Sequence, residues 1–241
     1  MKKILLTMCI ALCVPVMCLA KERLVLIGDA SLAPHSIANP DVCGWGEKLS
    51  ALFTDKVEVL NFAQAGESTH TLIDGRLKKI LDQCRTGDFV VLQVGQNDLR
   101  DDHGNMYYTA EEMARQLANI VTQLQKKRTK VILCTPIVQP YFKEDQIVLR
   151  MGVYSDVIRR VAKATETYLI DLEVLTLNWM NRIGEQNASL FFKHVSTDTQ
   201  RREYMLTEAG ATEVSRMFVE DVLAQKIKKL KKHVVLSIEQ Q

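Results

Sequence analysis

The chain has 241 residues, of which 47% are hydrophobic and 25% carry a formal charge, and its net charge is +2 at pH 7. This length supports one domain with a sizeable core, and the composition excludes a disordered or fibrous chain. The 31 basic residues are balanced by 29 acidic residues, so no cationic excess is available for a phosphate backbone and nucleic acid is not an expected partner.

The first twenty residues have the organisation of an export signal. Lys2 and Lys3 precede a mostly apolar stretch, and Ala20 provides the small side chain that a signal peptidase accepts. The apolar stretch is short for a membrane span, which needs about 20 apolar residues. We therefore expect a signal peptide at 1–20, export to a bacterial periplasm or secretion, and no stable membrane insertion after its removal.

The cysteines exclude a disulfide-rich scaffold. Three of the six lie within the predicted signal, and the remaining Cys43, Cys84 and Cys134 permit at most one disulfide bond. Cys134 lies inside an apolar run, which is typical of a buried free thiol. No cysteine or histidine spacing matches a zinc site, so we expect no bound metal, and nothing in the sequence implies a cofactor.

Short apolar runs alternate with longer segments of helical periodicity from residue 21 to residue 225, a pattern typical of a parallel sheet covered by helices. The runs are rich in β-branched residues, as strands buried on both faces are. Strands are predicted at 24–27, 57–60, 89–94, 131–134 and 168–170. Helices are predicted at 47–53, 71–84, 110–126, 154–165, 172–183 and 208–229. The residues at 226–241 are predicted to form a basic C-terminal extension, with its lysines on a solvated helix end.

Helix starts are visible in the sequence. Thr109 and Glu112 have the spacing of a capping box, in which the hydroxyl and the carboxylate satisfy backbone N–H groups of the first helical turn. Thr207 is predicted to cap the last helix through its hydroxyl.

Three special segments follow predicted strands. Gly28 and Asp29 follow the first strand, residues 61–66 follow the second, and residues 95–98 follow the third. Functional groups of an open α/β sheet gather at the carboxyl ends of its strands. The sequence therefore predicts one site at this edge of the sheet.

These segments and five others resemble, in order and at compatible spacing, the motifs of the SGNH (GDSL-type) hydrolases, in particular the rhamnogalacturonan acetylesterase-like branch. The resemblance implies a three-layer α/β/α, flavodoxin-like fold with a five-stranded parallel sheet at 21–225, and hydrolysis of carbohydrate O-acetyl esters. The matching segments are LIGDAS at 26–31, GWGE at 44–47, NFAQAGEST at 61–69, GQND at 95–98, CTPI at 134–137, LIDL at 169–172, LFFKHV at 190–195 and TEAGA at 207–211.

The catalytic positions that the resemblance implies are not competent. In the family a serine follows Gly-Asp, a histidine takes its proton, and an aspartate three residues before that histidine orients it. Here Ala30 follows Asp29, and counting back from the Gly-Ala pair at 210–211 puts Arg202 at the aspartate position and Met205 at the histidine position. A methyl group cannot attack, a thioether is not a base near neutral pH, and a guanidinium cannot accept the hydrogen bond of an imidazolium N–H.

The oxyanion-binding positions are present. Gly66 and Asn97 match the family residues that hold the developing negative charge. One neighbour differs, because Glu67 stands where the family has an arginine. Since Arg202 stands where the family has an aspartate, a hypothesis is that the two residues form an ion pair of reversed polarity.

A different residue pair is the alternative source of activity. Ser31 follows Ala30 directly and His35 lies four residues further on, so a relocated Ser31–His35 pair is the best rescue mechanism that the sequence offers. Ser31 is also typical of a capping residue, and in a helix one position rotates a side chain by about 100°, away from the oxyanion-binding groups.

The leading interpretation is a pseudoenzyme or glycan-binding relative of the carbohydrate esterases, with an acetylated plant or bacterial polysaccharide as partner. The alternatives are an active acyl-ester hydrolase that uses Ser31 and a relocated histidine, and a scaffold that acts through its basic C-terminal helix. Aromatic residues predicted to stack on a sugar are Trp45, Tyr107, Tyr108 and Tyr141.

Overall fold

The computed structural model describes residues 21–35, 37–99, 109–196 and 202–235, with the side chains of Ser196, Arg202 and Glu203 outside the description. The predicted signal at 1–20 and the two tyrosines at 107 and 108 lie outside the described residues. No helix in the described ranges combines the length and the apolar character that crossing a membrane requires.

Nine strands are found in the described part of the chain, and the five that were predicted form the central sheet. This sheet is parallel, with the strand order β2-β1-β3-β4-β7, and the remaining four strands form two antiparallel hairpins. The strands are β1 Glu22–Gly28, β2 Val57–Asn61, β3 Phe89–Gln93, β4 Lys130–Cys134, β5 Phe142–Lys143, β6 Gln146–Ile147, β7 Tyr168–Ile170, β8 Phe192–Ser196 and β9 Arg202–Leu206.

The register of the central strands brings the predicted site segments together. Strand β1 lies between β2 and β3, with Leu26 opposite Asn61 on one side and Gly28 opposite Gln93 on the other. A side chain at position 28 would meet the Gln93 carbonyl oxygen at 2.6 Å, so glycine is needed where β1 ends. The segments that follow the three strands therefore leave the sheet side by side.

Six α-helices of the described residues cover the sheet. Thr109 and Glu112 form the predicted capping box at the start of α3, and the Thr207 hydroxyl accepts the Gly210 N–H at the start of α6. The helices are α1 Thr69–Thr71, α2 Leu77–Gln83, α3 Ala110–Lys126, α4 Val153–Ala164, α5 Leu172–Phe191 and α6 Glu208–Ala224.

Two of the predicted helices are not regular α-helices in the structure. In place of the helix predicted at 47–53, the chain forms two short 3₁₀ turns at Trp45–Glu47 and Leu49–Leu52. The backbone here lies close against the segment after β1, since a side chain at Gly46 would meet the Leu32 carbonyl oxygen at 2.5 Å. The helix predicted at 71–84 is divided by a wide π turn at Leu72–Arg76.

The core has two halves, one on each face of the sheet, which confirms the three-layer α/β/α fold. Alternate residues of a strand face opposite layers, so Leu24 and Leu26 pack with residues of α5 and α6, whereas Val25 and Ile27 pack with residues of α2, α3 and α4. All four side chains are completely buried.

The packed core continues beyond residue 225, where the sequence places the end of the domain. Helix α6 ends at Ala224, but Ile227 and Leu230 are completely buried and Val234 pairs with Phe53. Lys231 and Lys232 lie in a short 3₁₀ turn at Leu230–His233 rather than in a continued helix.

The three described cysteines are free and buried, as expected for a chain without a disulfide scaffold. Burial raises the pKa of the Cys43 thiol to about 11 and also raises that of Cys84.

Candidate functional site

A small cavity of about 80 Å³ lies at the carboxyl end of the sheet, where the segments after β1, β2 and β3 meet. Its far wall comes from hairpin β8–β9 and from the segment after β4. Pockets for drug-sized ligands measure roughly 300–1,000 Å³, so this one suits a group as small as an acetyl. It is lined by Asp29, Ala30, Ser31, Ala65, Gly66, Gln96, Asn97, Ile137, Gln139, Tyr204, Met205 and Leu206.

The turn after β1 presents Ala30 to this cavity. The Asp29 backbone carbonyl accepts the N–H groups of Leu32 and Ala33 at 3.1 and 3.0 Å, which closes a tight turn around position 30. The Asp29 carboxylate accepts the Ser31 N–H at 3.0 Å and the Ser31 hydroxyl at 2.8 Å. The residue after Gly-Asp therefore contributes only a methyl group.

The Ser31 and His35 side chains have separate hydrogen-bond partners. The Ser31 hydroxyl donates to Asp29 and lies 3.3 Å from the Gln93 Oε1. The His35 Nε2 lies 2.6 Å from the Ala30 carbonyl oxygen. Because a carbonyl only accepts, that nitrogen carries the hydrogen and is not available as a base. The structure does not bring these two side chains into a nucleophile–base pair.

The other described histidines do not line the cavity. His70 pairs with Asp74 at 3.2 Å on the following turn. His194 is exposed and its ring packs edge-on against Tyr204, while His233 lies 3.5 Å from the Thr54 hydroxyl. His103 lies outside the described residues.

Met205 lines the cavity from strand β9, where it pairs with Lys193 of β8. The sequence did not predict this hairpin, although the count from the Gly-Ala pair at 210–211 had singled out Met205 itself. The side chain of Arg202 lies outside the described residues, so its place relative to the cavity stays a prediction.

Gly66 and Asn97 also line the cavity. Gly66 has a φ of +81°, a left-handed conformation that favours glycine. Neither the Gly66 N–H nor the Ala30 N–H forms a hydrogen bond within the described part of the chain. One hydrogen of the Asn97 amide donates to the Glu67 carbonyl at 2.8 Å, which fixes the amide, and the second has no acceptor among the residues that the structure describes.

A buried ion pair supports the Gly66 segment from behind. Glu67 is completely buried, and one of its oxygens pairs with the Arg76 guanidinium while the other accepts the Thr71 hydroxyl at 2.9 Å. Arg76 also donates to the Phe62 carbonyl at 2.7 Å. The described cation beside Glu67 is thus Arg76. The pairing of Glu67 with Arg202 stays a prediction, because the Arg202 side chain lies outside the described residues.

The aromatic residues divide into core and surface. Trp45 is completely buried, donates its indole N–H to the Gln93 Oε1 at 2.8 Å and packs on Phe218, so the expectation that it stacks on a sugar is wrong. Tyr141 is half-buried, and its ring meets that of Tyr204, a cavity residue that sequence reasoning missed.

The fold and the cavity together define a three-layer α/β/α domain with a candidate site at the carboxyl ends of its parallel sheet. The chain belongs to the GDSL-like Lipase/Acylhydrolase family, which it matches over residues 29–208. This assignment confirms the family that the sequence motifs indicated.

The proteins that this chain resembles include some that are named as acetylesterases. Rhamnogalacturonan acetylesterase RhgT of Bacillus subtilis (strain 168) is 25% identical over 209 residues, which cover 83% of this chain and 89% of that protein. The crystal structure of YxiM from Bacillus subtilis has a TM-score of 0.73 and 27% identity; the match covers 86% of this chain and 58% of that one. The acetylxylan esterase Axe2 of Geobacillus stearothermophilus shares the fold, with a TM-score of 0.61, 18% identity and coverage of 84% and 94%.

Proposed function

We propose that this chain binds an acetylated polysaccharide outside the cytoplasm and does not hydrolyse it by the mechanism of its family. The single observation that carries the proposal is the lining of the cavity. Unbonded N–H groups and the Asn97 amide remain on the oxyanion side, whereas a methyl group and a thioether stand where the resemblance expects nucleophile and base.

The loss of chemistry follows from the side chains. Ala30 has no hydroxyl to attack a carbonyl carbon, and the Met205 sulfur takes no proton near neutral pH. In a well-studied serine protease the loss of the serine or the histidine alone removes a factor of about 10⁶ from the rate, and a residual factor of about 10³–10⁴ over water comes from binding and the oxyanion hole. Substitutions of this kind therefore remove turnover while they leave ligand binding largely intact.

The alternative of an active esterase that uses Ser31 has less support. Its hydroxyl donates to a carboxylate, and the Nε2 of His35 donates to a carbonyl. Export is supported by the signal-like residues at 1–20 and by relatives named for acetylesterase activity on rhamnogalacturonan and xylan.

The decisive experiment compares binding with turnover for the chain that begins at Lys21. Isothermal titration calorimetry should show binding of an acetylated oligosaccharide and weaker binding of its deacetylated form, while p-nitrophenyl acetate is not turned over. Turnover that Ser31→Ala abolishes, with Ser189→Ala as an exposed control, would refute the proposal.

Restoring the family residues at the three catalytic positions tests the same reasoning by a gain of activity. The triple variant Ala30→Ser, Arg202→Asp and Met205→His should gain esterase activity because the oxyanion side is present. Ala30→Ser alone should stay inactive, since its hydroxyl has no base. A folded triple variant without activity and without acetyl-glycan binding would contradict a retained cleft.

A further inference from the structure

The C-terminal segment at 225–235 crosses the edge of the central sheet at which the strands begin, opposite the cavity. At its start the Gln225 amide donates to the Leu169 carbonyl of β7 at 2.6 Å. At its end the His233 carbonyl accepts the Thr54 N–H, just before β2, at 2.7 Å. Because β7 and β2 are the two outer strands of the sheet, the segment covers four strand spacings, or roughly 19 Å. Its exposed cations are Lys226, Lys228, Lys229, Lys231 and Lys232.

The segments that lead into the strands add further cations to the same edge. Before β1 and β2, the Glu22 N–H donates to the Lys56 carbonyl at 2.8 Å. Before β3 and β4, the Gly87 N–H donates to the Arg128 carbonyl at 3.0 Å. These segments therefore lie side by side along the edge. Their exposed cations include Lys21, Lys56, Arg85, Lys127, Arg128 and Lys163.

The charge of this edge is one-sided, and we call its exposed cations the basic face. The exposed carboxylates of the same segments are Asp55 and Glu166. Among the residues that the structure describes, two cations of the basic face form ion pairs. Lys229 lies 3.0 Å from Glu22, and Lys127 lies 4.0 Å from Asp82 of α2. The whole chain has 31 basic and 29 acidic residues, so its balanced composition conceals a face of one sign.

The composition of the basic face fits a diffuse anionic surface. Lysine predominates over arginine, and an ammonium group is a hydrated point charge that lacks the planar fork with which a guanidinium binds a single carboxylate or phosphate. Lysines of this kind contribute by their summed charge. Clusters of about four to eight Lys or Arg side chains bind anionic lipid headgroups in this way.

The position of the basic face favours a membrane over a soluble polyanion. Residue 20 is joined to Lys21, so the predicted export signal at 1–20 enters the fold at the basic face. A signal of this kind is held in a membrane during export. The basic face is therefore the part of the domain nearest to the bilayer when the signal is removed.

We propose that the basic face docks the exported chain on an anionic lipid bilayer through charge and without insertion. The strands begin at the basic face and end at the cavity, and the seven residues of β1 span roughly 23 Å. A chain docked in this way presents the cavity away from the bilayer, toward ligands in solution. The docking uses a surface other than the cavity and does not depend on the proposed function.

The test measures co-sedimentation of the chain from Lys21 to Gln241 with lipid vesicles. The chain should bind vesicles of equal parts phosphatidylcholine and phosphatidylglycerol in about 0.1 M NaCl and be released in about 1 M NaCl, where the Debye length falls to about 3 Å. Vesicles of phosphatidylcholine alone should not bind it. Lys231→Gln combined with Lys232→Gln should weaken binding to the mixed vesicles about 25-fold, since each cation near an anionic leaflet contributes about a factor of five.

The matched control is Arg115→Gln combined with Lys143→Gln, which removes the same charge from exposed positions in α3 and β5. This variant should bind the mixed vesicles as the parent does, and urea denaturation should show that both double variants are as stable as the parent. The proposal is overturned by equal binding to both kinds of vesicle, by no binding to the mixed vesicles in 0.1 M NaCl, or by the same loss in both variants. Binding of heparin, a soluble polyanion, without binding of the mixed vesicles overturns it as well and assigns the basic face to a polymer.

Discussion

Removal of the Arg76 guanidinium should destabilise the protein more than an ordinary surface substitution does. Its partner Glu67 is completely buried, whereas 28% of the Arg76 side chain is exposed. In Arg76→Ala the Glu67 carboxylate keeps one neutral hydrogen bond, from the Thr71 hydroxyl at 2.9 Å. Breaking a buried pair from one side destabilises by about 3–5 kcal/mol, since it leaves an uncompensated buried charge.

The lower end of that range applies here, because the space vacated by a partly exposed arginine admits water to the carboxylate. We expect Arg76→Ala to lower the free energy of unfolding by about 3 kcal/mol, measured by urea denaturation. In a domain of this size the corresponding fall in Tm is about 6–12 °C. Acetyl-glycan binding should weaken as well, because the Glu67 carbonyl holds the Asn97 amide at 2.8 Å.

The control is the double variant Arg76→Ala with Glu67→Gln, which removes both charges and keeps an acceptor for Thr71. It should regain most of the lost stability, because the penalty lies in the unpaired charge rather than in the missing arginine. The reasoning would be refuted if Arg76→Ala cost less than about 1 kcal/mol, the range of exposed ion pairs, or if the double variant were as unstable as the single one.

Three further predictions concern stability, pH and thiol chemistry. Burial raises the pKa of Asp98, although hydrogen bonds from Thr69 oppose the shift. The folded state therefore keeps this proton above the unfolded pKa of about 3.9, and the stability of the fold falls as the pH rises through the folded pKa. Asp98→Asn should remove this decline, so urea titrations should show its stability relative to the parent increasing between pH 4 and pH 7. Gly66→Ala should cost about 1–2 kcal/mol through backbone strain at a φ of +81°, since no atom lies within 4 Å of the added carbon, whereas Gly75→Ala, equally uncrowded and without a positive φ, should not destabilise. A thiol reagent at pH 8 should label none of the three described cysteines in the folded chain from Lys21 and all three in denaturant. The reason is that all three are buried and that the pKa of Cys43 is raised to about 11. Labelling of the folded chain would contradict this packing.

The central sheet was predictable because its strands are buried on both faces and read as nearly unbroken apolar runs. The hairpins were not, since β5–β6 has only two residues per strand and the sequences of β8 (FKHVS) and β9 (REYML) are neither continuously apolar nor regularly alternating. Hairpin β8–β9 also contacts a distant segment, because the Gln139 amide donates a hydrogen bond to the Tyr204 carbonyl. Tyr204 was therefore missed as a site residue, although its neighbour Met205 was found by counting.

The partner of Glu67 shows a second limit of sequence reasoning. Comparison with the family drew attention to Arg202, 135 positions away by sequence number, because both positions differ in charge from the expected motif. The structure pairs Glu67 with Arg76, which ends the wide turn at Leu72–Arg76. A regular helix was predicted there, so the turn that ends at the arginine was not visible in the periodicity.

Affinity for a glycan must come largely from outside the cavity. The acetyl group has three non-hydrogen atoms, and at the ceiling of about 1.5 kcal/mol per atom it contributes at most about 4.5 kcal/mol, which corresponds to a Kd of about 1 mM. Micromolar binding needs roughly 4 kcal/mol more. Contacts between the sugar rings and the residues around the cavity, Tyr204 among them, have to supply this difference. In the function proposed here the bound acetyl group is not consumed, because Ala30 offers no nucleophile, and the sugar contacts then set both the lifetime and the specificity of the complex.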